Sequence, residues 1–314
     1  MANANAAEIA ISPIESRAGL TGELTVRGAW VLQSRHPHFG GFSAMAHVKG
    51  TLVEANGSDG ALLLASDRGW ITRISLRGGE PVTQITDFVN YPPRIDPDTR
   101  LFDLESMVRD NRTGDLWTAY EGANAVVRER QNPYDGGAEM VRRDPPRMRD
   151  WSVNSGPEAM ARLPDGRFIV MSEGRDDDAD PTRPALLFNG DPVEAVSTTA
   201  FRFAVPDGYS PVDAAALPDG RLLVLIRRVR FDLPARFDAQ LQIVDPQNIA
   251  AGKILRGETI AQFAGSEYAE NFEGIAYAPP VGDEADASIY LISDDNLSVF
   301  QRTILIRLAW TADD

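Results

Sequence analysis

The sequence predicts an all-β protein built from five similar units, and two observations carry this prediction. Apolar runs of four to eight residues, rich in Val, Ile, Leu and Phe, alternate with Gly, Pro and Asp along the chain, as in buried strands separated by turns. Five times, an apolar stretch that begins with a short polar motif is followed by a second run that ends in a charged residue. Helical periodicity is almost absent, so each unit is predicted to open with an antiparallel hairpin.

The spacing of the units predicts the architecture. The residues that mark the same point in successive units are Ser43, Glu105, Glu158, Asp213 and Glu273, at intervals of 62, 53, 55 and 60 residues. Each interval accommodates about four short strands with their turns, which is the content of one propeller blade. Pro164-Asp165-Gly166 and Pro218-Asp219-Gly220 stand at the same place in two units and are typical of hairpin turns. The fold class is therefore a single β-propeller of four-stranded blades.

Five blades are assigned, at about 42–90, 103–145, 157–205, 210–265 and 271–310. In the first blade the outer strands are expected near Ile71–Leu76 and Val82–Thr86. The long segment Gln242–Phe263 is compatible with a degenerate sixth blade. The propeller domain is placed at 23–310, after an N-terminal tail of residues 1–22. The strand Glu23–Ser34 is predicted to complete the last blade and close the ring, which removes exposed strand edges.

Charge and composition exclude several classes of function. The chain has 314 residues and a net charge of −15, which argues against nucleic-acid binding because that requires a basic surface. There is no apolar run of about 18 residues, so no membrane span is predicted. The absence of cysteine excludes disulfides and thiol chemistry. An acidic surface of this kind suits cation binding or simply keeps the protein in solution.

Hairpin geometry brings the repeated acids together. The start of the first strand in a hairpin lies beside the end of the second, and the first strand of each blade lines the central channel. The strand-start residues expected around one channel mouth are Ser43, Glu105, Glu158, Asp213 and Glu273. The strand-end residues expected beside them are Asp67, Glu121, Glu173, Arg227 and Asp294.

Carboxylates gathered in this way need compensation because like charges at close range repel. One solution is a divalent cation, most simply Ca²⁺, which prefers oxygen ligands. The metal ligands predicted for it are Asp103, Glu105, Glu158, Asp213 and Glu273. The other solution is a carboxylate–guanidinium network, for which Arg68, Arg175, Arg227 and Arg302 are placed in or near the same mouth. Both solutions are compatible with the sequence.

All three histidines, His36, His38 and His47, fall within a short segment around the first inner strand. His38 is the candidate for a general base or metal ligand at the channel mouth. The alternative is a solvated loop pair with one packed histidine. A serine nucleophile is not predicted, because no Gly-x-Ser-x-Gly motif occurs.

In these motifs the chain resembles the phytase-like family, also described as having the esterase-like activity of phytase. The motifs are Phe39-Gly40-Gly41-Phe42-Ser43, Ser66-Asp67-Arg68-Gly69, Asp103-Leu104-Glu105, Glu121-Gly122, Gly156-Pro157-Glu158-Ala159, Ser172-Glu173-Gly174, Asn271-Phe272-Glu273-Gly274 and Ser293-Asp294-Asp295-Asn296. They span about 39–310. The resemblance implies a β-propeller, a hydrolase of phosphoesters or other esters, and export to the periplasm or beyond. The N-terminus is accordingly expected to follow a removed signal peptide.

Two functional hypotheses follow. The first is a metal-assisted hydrolase of a small anionic ester, with Glu105, Glu158, Glu273 and His38 as the catalytic groups. Its predicted substrate-binding residues are Arg68, Glu121, Glu173, Arg175, Arg227, Asp294 and Arg302. The second is a non-catalytic propeller that binds a ligand or a protein, in which the acids and arginines form a structural network.

Overall fold

A computed structural model of the chain describes residues 5–15, 20–49, 59–91, 101, 103–131, 138–152, 154–174, 180–230, 235–263, 268, 270–282, 284–298 and 300–310. The predicted substrate-binding residue Arg175 lies outside the described residues. Within the described part, strands dominate, and the helical elements are two single 3-10 turns, Glu121–Ala123 and Pro246–Asn248. No helix there is long and apolar enough to cross a membrane.

Twenty-five strands lie within the described residues. The first thirteen are β1 (Ala6–Pro13), β2 (Leu20–Gly22), β3 (Thr25–Gln33), β4 (Phe42–Lys49), β5 (Gly60–Ser66), β6 (Trp70–Arg77), β7 (Glu80–Pro81), β8 (Gln84–Asp87), β9 (Val89–Asn90), β10 (Leu104–Arg109), β11 (Leu116–Tyr120), β12 (Ala125–Gln131) and β13 (Ala138–Arg143). The other twelve are β14 (Pro157–Arg162), β15 (Phe168–Ser172), β16 (Thr182–Phe188), β17 (Thr198–Ala204), β18 (Ser210–Ala216), β19 (Leu222–Arg230), β20 (Arg236–Val244), β21 (Ile254–Arg256), β22 (Glu258–Phe263), β23 (Asn271–Ala278), β24 (Ala287–Asp294) and β25 (Ile304–Trp310).

These strands form five sheets, one for each predicted blade. Their strand orders are β4-β5-β6-β7 with β9 beside β6, β10-β11-β12-β13, β14-β15-β16-β17-β21, β18-β19-β20-β22-β2 and β23-β24-β25-β3-β1-β8. The predicted all-β, five-bladed propeller is confirmed. The segment Gln242–Phe263, which is described in full and is compatible by sequence with a sixth blade, forms no sheet of its own. It contains β21, which pairs in parallel with β17, and β22, which joins the sheet of β18.

The N-terminal strand β3 completes the last sheet, as predicted, and the residues before it form further strands that the sequence did not predict. β3 pairs antiparallel with the last strand, β25, from Ile304 beside Val31 to Ala309 beside Thr25. Residues 1–22 were assigned no strand, yet β1 pairs with β3 on one side and with β8 on the other. The stretch Val82–Thr86, expected as an outer strand of the first blade, is therefore partly taken by this last sheet.

Two compact units are recognised in the chain, residues 1–95 with 229–240 and 260–314, and residues 96–228 with 241–259. Each has its own apolar core. In the first, Ile9, Phe42, Leu64 and Tyr290 belong to one buried cluster. In the second, two buried clusters are built around residues such as Ile169 and Phe203, and Trp117 and Phe188.

Every inner hairpin carries one β-bulge at the same place, where one extra residue of the first strand has no partner on the second. The extra residues are Ser43, Glu105, Glu158, Val212 and Glu273. Four of the five unit markers are thus bulge residues. The fourth marker was wrong by one position, because Val212 and not Asp213 occupies the bulge.

Candidate metal centre

In three of the five inner hairpins an acid in the bulge of the first strand is matched by an acid at the end of the second strand. In the second of the two compact units, Glu121 directly follows β11 and Glu173 directly follows β15. Glu105 and Glu158 stand in the bulges of β10 and β14. A bulge turns its extra residue away from the regular alternation of the strand. The recurrence of the acids is therefore a consequence of one backbone feature repeated in successive hairpins.

Three glutamates from two neighbouring hairpins meet, and we call them the glutamate cluster: Glu121, Glu158 and Glu173. One carboxylate oxygen from each lies within 4.8 Å of the others. Glu121 and Glu158 are buried, at 8% and 7% exposure, and Glu173 is half-buried. A second trio, Asp103, Glu105 and Glu121, meets the same distance limit and shares Glu121 with the first.

Burial and like charge shift the titration of this cluster. Burial is the main cause that raises the pKa of Glu121 to about 7, and the charges of Glu173 and Asp103 act in the same direction. A hydrogen bond from the Gly156 N–H, at 3.3 Å from Oε1, and one with the carboxyl of Glu158 oppose the rise. A hydrogen bond between two carboxyls requires a proton on one of them, so this contact forms only when Glu121 or Glu158 is protonated.

Glu173 is the member of the glutamate cluster whose negative charge is opposed by arginine side chains. Burial raises the pKa of Glu173, while the charges of Arg227 and Arg183 lower it. Arg183 is 1% exposed, and its guanidinium donates hydrogen bonds to the carbonyl oxygens of Tyr209 and Thr182. Arg227 stands in the fourth hairpin where the others carry an acid, opposite Ser210.

An amide oxygen without a partner lies next to the glutamate cluster. Asn124 follows the 3-10 turn Glu121–Ala123 and is 6% exposed. Its Oδ1 is buried and has no hydrogen-bond partner within the described residues. Asn124 Oδ1 packs closely against Gly156, where no side chain would fit, because a Cβ on Gly156 would meet Asn124 Oδ1 at 2.8 Å and Glu121 Cγ at 2.9 Å.

These observations fit a hard cation. The donors are carboxylate oxygens within 4.8 Å of one another, beside an unpaired amide oxygen that packs against Gly156 next to Glu121. Such oxygen donors are the ligands preferred by Ca²⁺ and Mg²⁺.

A separate group of acids lies in the first of the two compact units, and we call it the aspartate cluster: Asp67, Glu273, Asp294 and Asp295. Burial is the main cause that raises the pKa of Asp294 to about 8, followed by the charges of Glu273, Asp67 and Asp295. Protein donors hold the other acids: Gly41 N–H and Thr303 Oγ1 each donate to Asp295 at 3.1 Å, and Asn271 Nδ2 donates to Glu273 at 2.8 Å.

Some predicted site residues are engaged elsewhere. Asp213, predicted as a metal ligand, is 1% exposed and accepts hydrogen bonds from the Ala214 N–H at 2.8 Å and Ser106 Oγ at 3.4 Å. Arg68 is paired with Asp67, and Arg302 donates to Glu270 at 2.9 Å. These contacts give all three residues structural partners, so any role in ligand binding remains a prediction.

Two of the three histidines, His36 and His38, lie in the loop before β4, and both rings stack on aromatic side chains. The His38 ring stacks on Trp70 with centroids 3.7 Å apart, and His36 stacks on Phe88 at 4.0 Å. The His38 N–H donates to His36 Nδ1 at 3.2 Å. The proposed base function of His38 remains a prediction.

The sequence did not identify Asn124 or Arg183 as candidate site residues, and it placed Gly156 in a motif without predicting its contact with Glu121. Asparagine after a tight turn is typical of left-handed backbone, and Asn124 has φ 48°. That signal identifies a turn but does not reveal that Asn124 faces Gly156 from another hairpin.

The fold and the buried oxygen-rich site define the class of the protein: a five-bladed β-propeller with an acidic candidate metal centre. A family model described as phytase-like, with the esterase-like activity of phytase, matches residues 37–297. The chain belongs to this phytase-like family, as its motifs indicated.

Comparison with solved structures finds distant similarities that span most of the chain. An α-L-arabinanase from Penicillium chrysogenum is 11% identical, with 93% of this chain and 85% of that chain covered and a TM-score of 0.45. The Cps50 (Swd1) β-propeller domain of Myceliophteria thermophila is 10% identical, with 96% and 100% covered and a TM-score of 0.43. A protein from Lactobacillus plantarum is 11% identical, with 96% of both chains covered and a TM-score of 0.40. No curated protein matches the chain.

Proposed function

We propose that the protein is a metal-dependent hydrolase of phosphoesters or other small anionic esters, acting at the glutamate cluster, in the periplasm or outside the cell. The observation that carries the proposal is the approach of three glutamate carboxylates, two of them buried, to within 4.8 Å. Membership of a family described by esterase-like activity supports the hydrolase class.

In this proposal, Glu121, Glu158 and Glu173 would hold the cation, and Ca²⁺ is the ion we expect. A bound divalent cation supplies an electrophile for the ester oxygen and lowers the pKa of a bound water. Arg227 stands beside Glu173, and its guanidinium would pair with the anionic part of the substrate through two N–H groups. Glu105 stands in the bulge next to the cluster. It would orient the attacking water or accept a proton from it.

A second function has one specific observation in its favour. Glu173 is already opposed by the charges of Arg227 and the buried Arg183, as a structural carboxylate–guanidinium network would require. In that case the propeller is a binding scaffold and needs no cation.

A hydrolysis screen with matched variants tests the proposal. Chelator-stripped protein is assayed on aryl phosphates and aryl esters, with and without added Ca²⁺, beside Glu158→Gln and Glu139→Gln. Glu139 is an exposed acid on β13 and serves as the charge-matched control. We expect cation-dependent activity that Glu158→Gln lowers by at least about 100-fold and Glu139→Gln leaves unchanged. Activity equal in all three proteins, or independent of cations, would contradict the proposal.

A further inference from the structure

We propose that Asn124 is a ligand of the cation in the glutamate cluster, through its side-chain oxygen Oδ1, and that it makes the site selective for Ca²⁺ over Mg²⁺. The inference deepens the proposed function and rests on it, since the glutamate cluster must bind a cation for Asn124 to complete the ligand set.

The first argument is the unpaired oxygen. The other half of the Asn124 amide is satisfied, because Nδ2 donates to the carbonyl oxygen of Trp151 at 2.8 Å. That bond fixes the orientation of the amide. Oδ1 is left buried and without a hydrogen-bond partner in the described part of the chain. A buried acceptor is unfavourable unless something pairs with it, and a cation would do so.

The second argument is the location of that oxygen. Asn124 Oδ1 and Glu121 Cγ both lie within 2.9 Å of the point that a Cβ on Gly156 would occupy. The amide oxygen and the Glu121 side chain therefore both pack against Gly156 and lie next to each other. The N–H of Gly156 also donates to Glu121 Oε1, so the glycine supports the carboxylate and, without a side chain, lets the amide oxygen approach it.

The third argument is the turn that connects the two donors. Glu121 begins the 3-10 turn and Asn124 ends it, with the Asn124 N–H donating to the Glu121 carbonyl oxygen at 3.1 Å. Asn124 adopts the left-handed region at φ 48°. The turn thus holds a carboxylate and an amide oxygen in a fixed relation, as a metal site requires.

The ligand set determines the ion. Ca²⁺ accepts six to eight oxygen ligands and commonly includes Asn side-chain oxygens, whereas Mg²⁺ keeps several waters and uses few protein ligands. Three glutamates and one amide in a largely buried site therefore suit Ca²⁺.

Calorimetric titration of Ca²⁺ and of Mg²⁺ into chelator-stripped full-length protein tests the inference, with Asn124→Gly and Asn124→Asp as variants. Gly keeps the left-handed backbone and removes the whole amide. Asp keeps an oxygen donor but loses the Nδ2 hydrogen bond to Trp151. We expect Asn124→Gly to weaken Ca²⁺ binding by at least about tenfold, with a smaller effect on Mg²⁺, and Asn124→Asp to bind Ca²⁺ at least as tightly as the native protein.

The outcomes separate the inference from the proposed function. No cation binding to the native protein overturns both. Native binding that Asn124→Gly does not change overturns the ligand role of Asn124 alone. Equal weakening in both variants shows that Asn124 acts through its bond to Trp151, which also overturns the ligand role. Melting in chelator checks that each variant folds, and if Asn124→Gly does not fold, weaker Ca²⁺ binding by Asn124→Asp overturns the inference.

Discussion

Four non-glycine residues of the described chain have positive φ, and each lies beside an acid of one of the two clusters. Asp103 and Asn124 flank the glutamate cluster at φ 64° and 48°, and Asn296 and Leu297 follow the aspartate cluster at φ 46° and 51°. Such residues cost free energy, on the order of 1–3 kcal/mol each, and concentrate where function requires an unusual backbone. Their placement supports the proposal that these strand ends are functional.

Gly156 offers a test at the same scale. In Gly156→Ala the new Cβ would lie 2.8 Å from the Cα of Glu121, a backbone atom that cannot move freely. We expect a loss of about 1–3 kcal/mol in the free energy of unfolding and a weaker affinity for Ca²⁺. Urea unfolding in chelator measures the first effect and calorimetry the second. Unchanged stability and unchanged Ca²⁺ affinity would show that neither folding nor cation binding depends on the close packing of Glu121 against Gly156.

His47 is expected to make stability depend on pH. Burial is the main cause that lowers the pKa of His47 to about 4, from 6.5. The unfolded chain then binds more protons than the folded chain between these values, so stability is full above pH 6.5 and falls as the pH drops towards 4. The full loss is about 3 kcal/mol.

Urea unfolding at a series of pH values between 4 and 7 measures this effect. In His47→Gln the loss between pH 6.5 and 4 should be smaller by that amount, because the carboxyl groups common to both proteins cancel in the difference. Parallel stability curves for the two proteins would rule out the effect.

At the scale of elements, the sequence predicted the hairpins well because their turns and acids recur together. Pro164-Asp165-Gly166 and Pro218-Asp219-Gly220 form matching turns, with φ 89° and 91° at the glycines. In both turns the Nε–H of the arginine that follows, Arg167 or Arg221, donates a hydrogen bond to the aspartate. Asp213 was misplaced because residue type alone cannot show which position a bulge occupies. The pairing of Pro211 with Ile226 and Asp213 with Leu225 leaves Val212 in the bulge.

The role of β1 could not be predicted, because its alternation is weak and one of its two partners, β8, lies far along the chain. Ile9, in the stretch taken as a tail, is fully buried in the core of the first unit. Ile9→Ala should therefore cost about 2–5 kcal/mol of unfolding free energy. Ser12→Ala, at an exposed position of the same strand, should cost almost nothing. Chemical denaturation measures both, and equal small effects would mean that β1 contributes no stability.

At the scale of the whole molecule, the net charge of −15 makes cation binding a stabilising event. A ligand that binds only the folded state adds about 2.7 kcal/mol when its concentration is 100 times Kd. We therefore expect Ca²⁺ to raise the melting temperature of the native protein. Glu158→Gln should lose most of that increase, while Glu139→Gln should retain it. An equal increase in all three proteins would indicate nonspecific screening of surface charge.

The most direct measurement is diffraction from crystals grown with saturating Ca²⁺. The account predicts one cation with oxygen ligands from Glu121, Glu158, Glu173 and Asn124 at about 2.3–2.6 Å. An ordered glutamate cluster without a cation, with Arg227 paired directly to Glu173, would contradict it and leave the structural network as the explanation of the repeated acids.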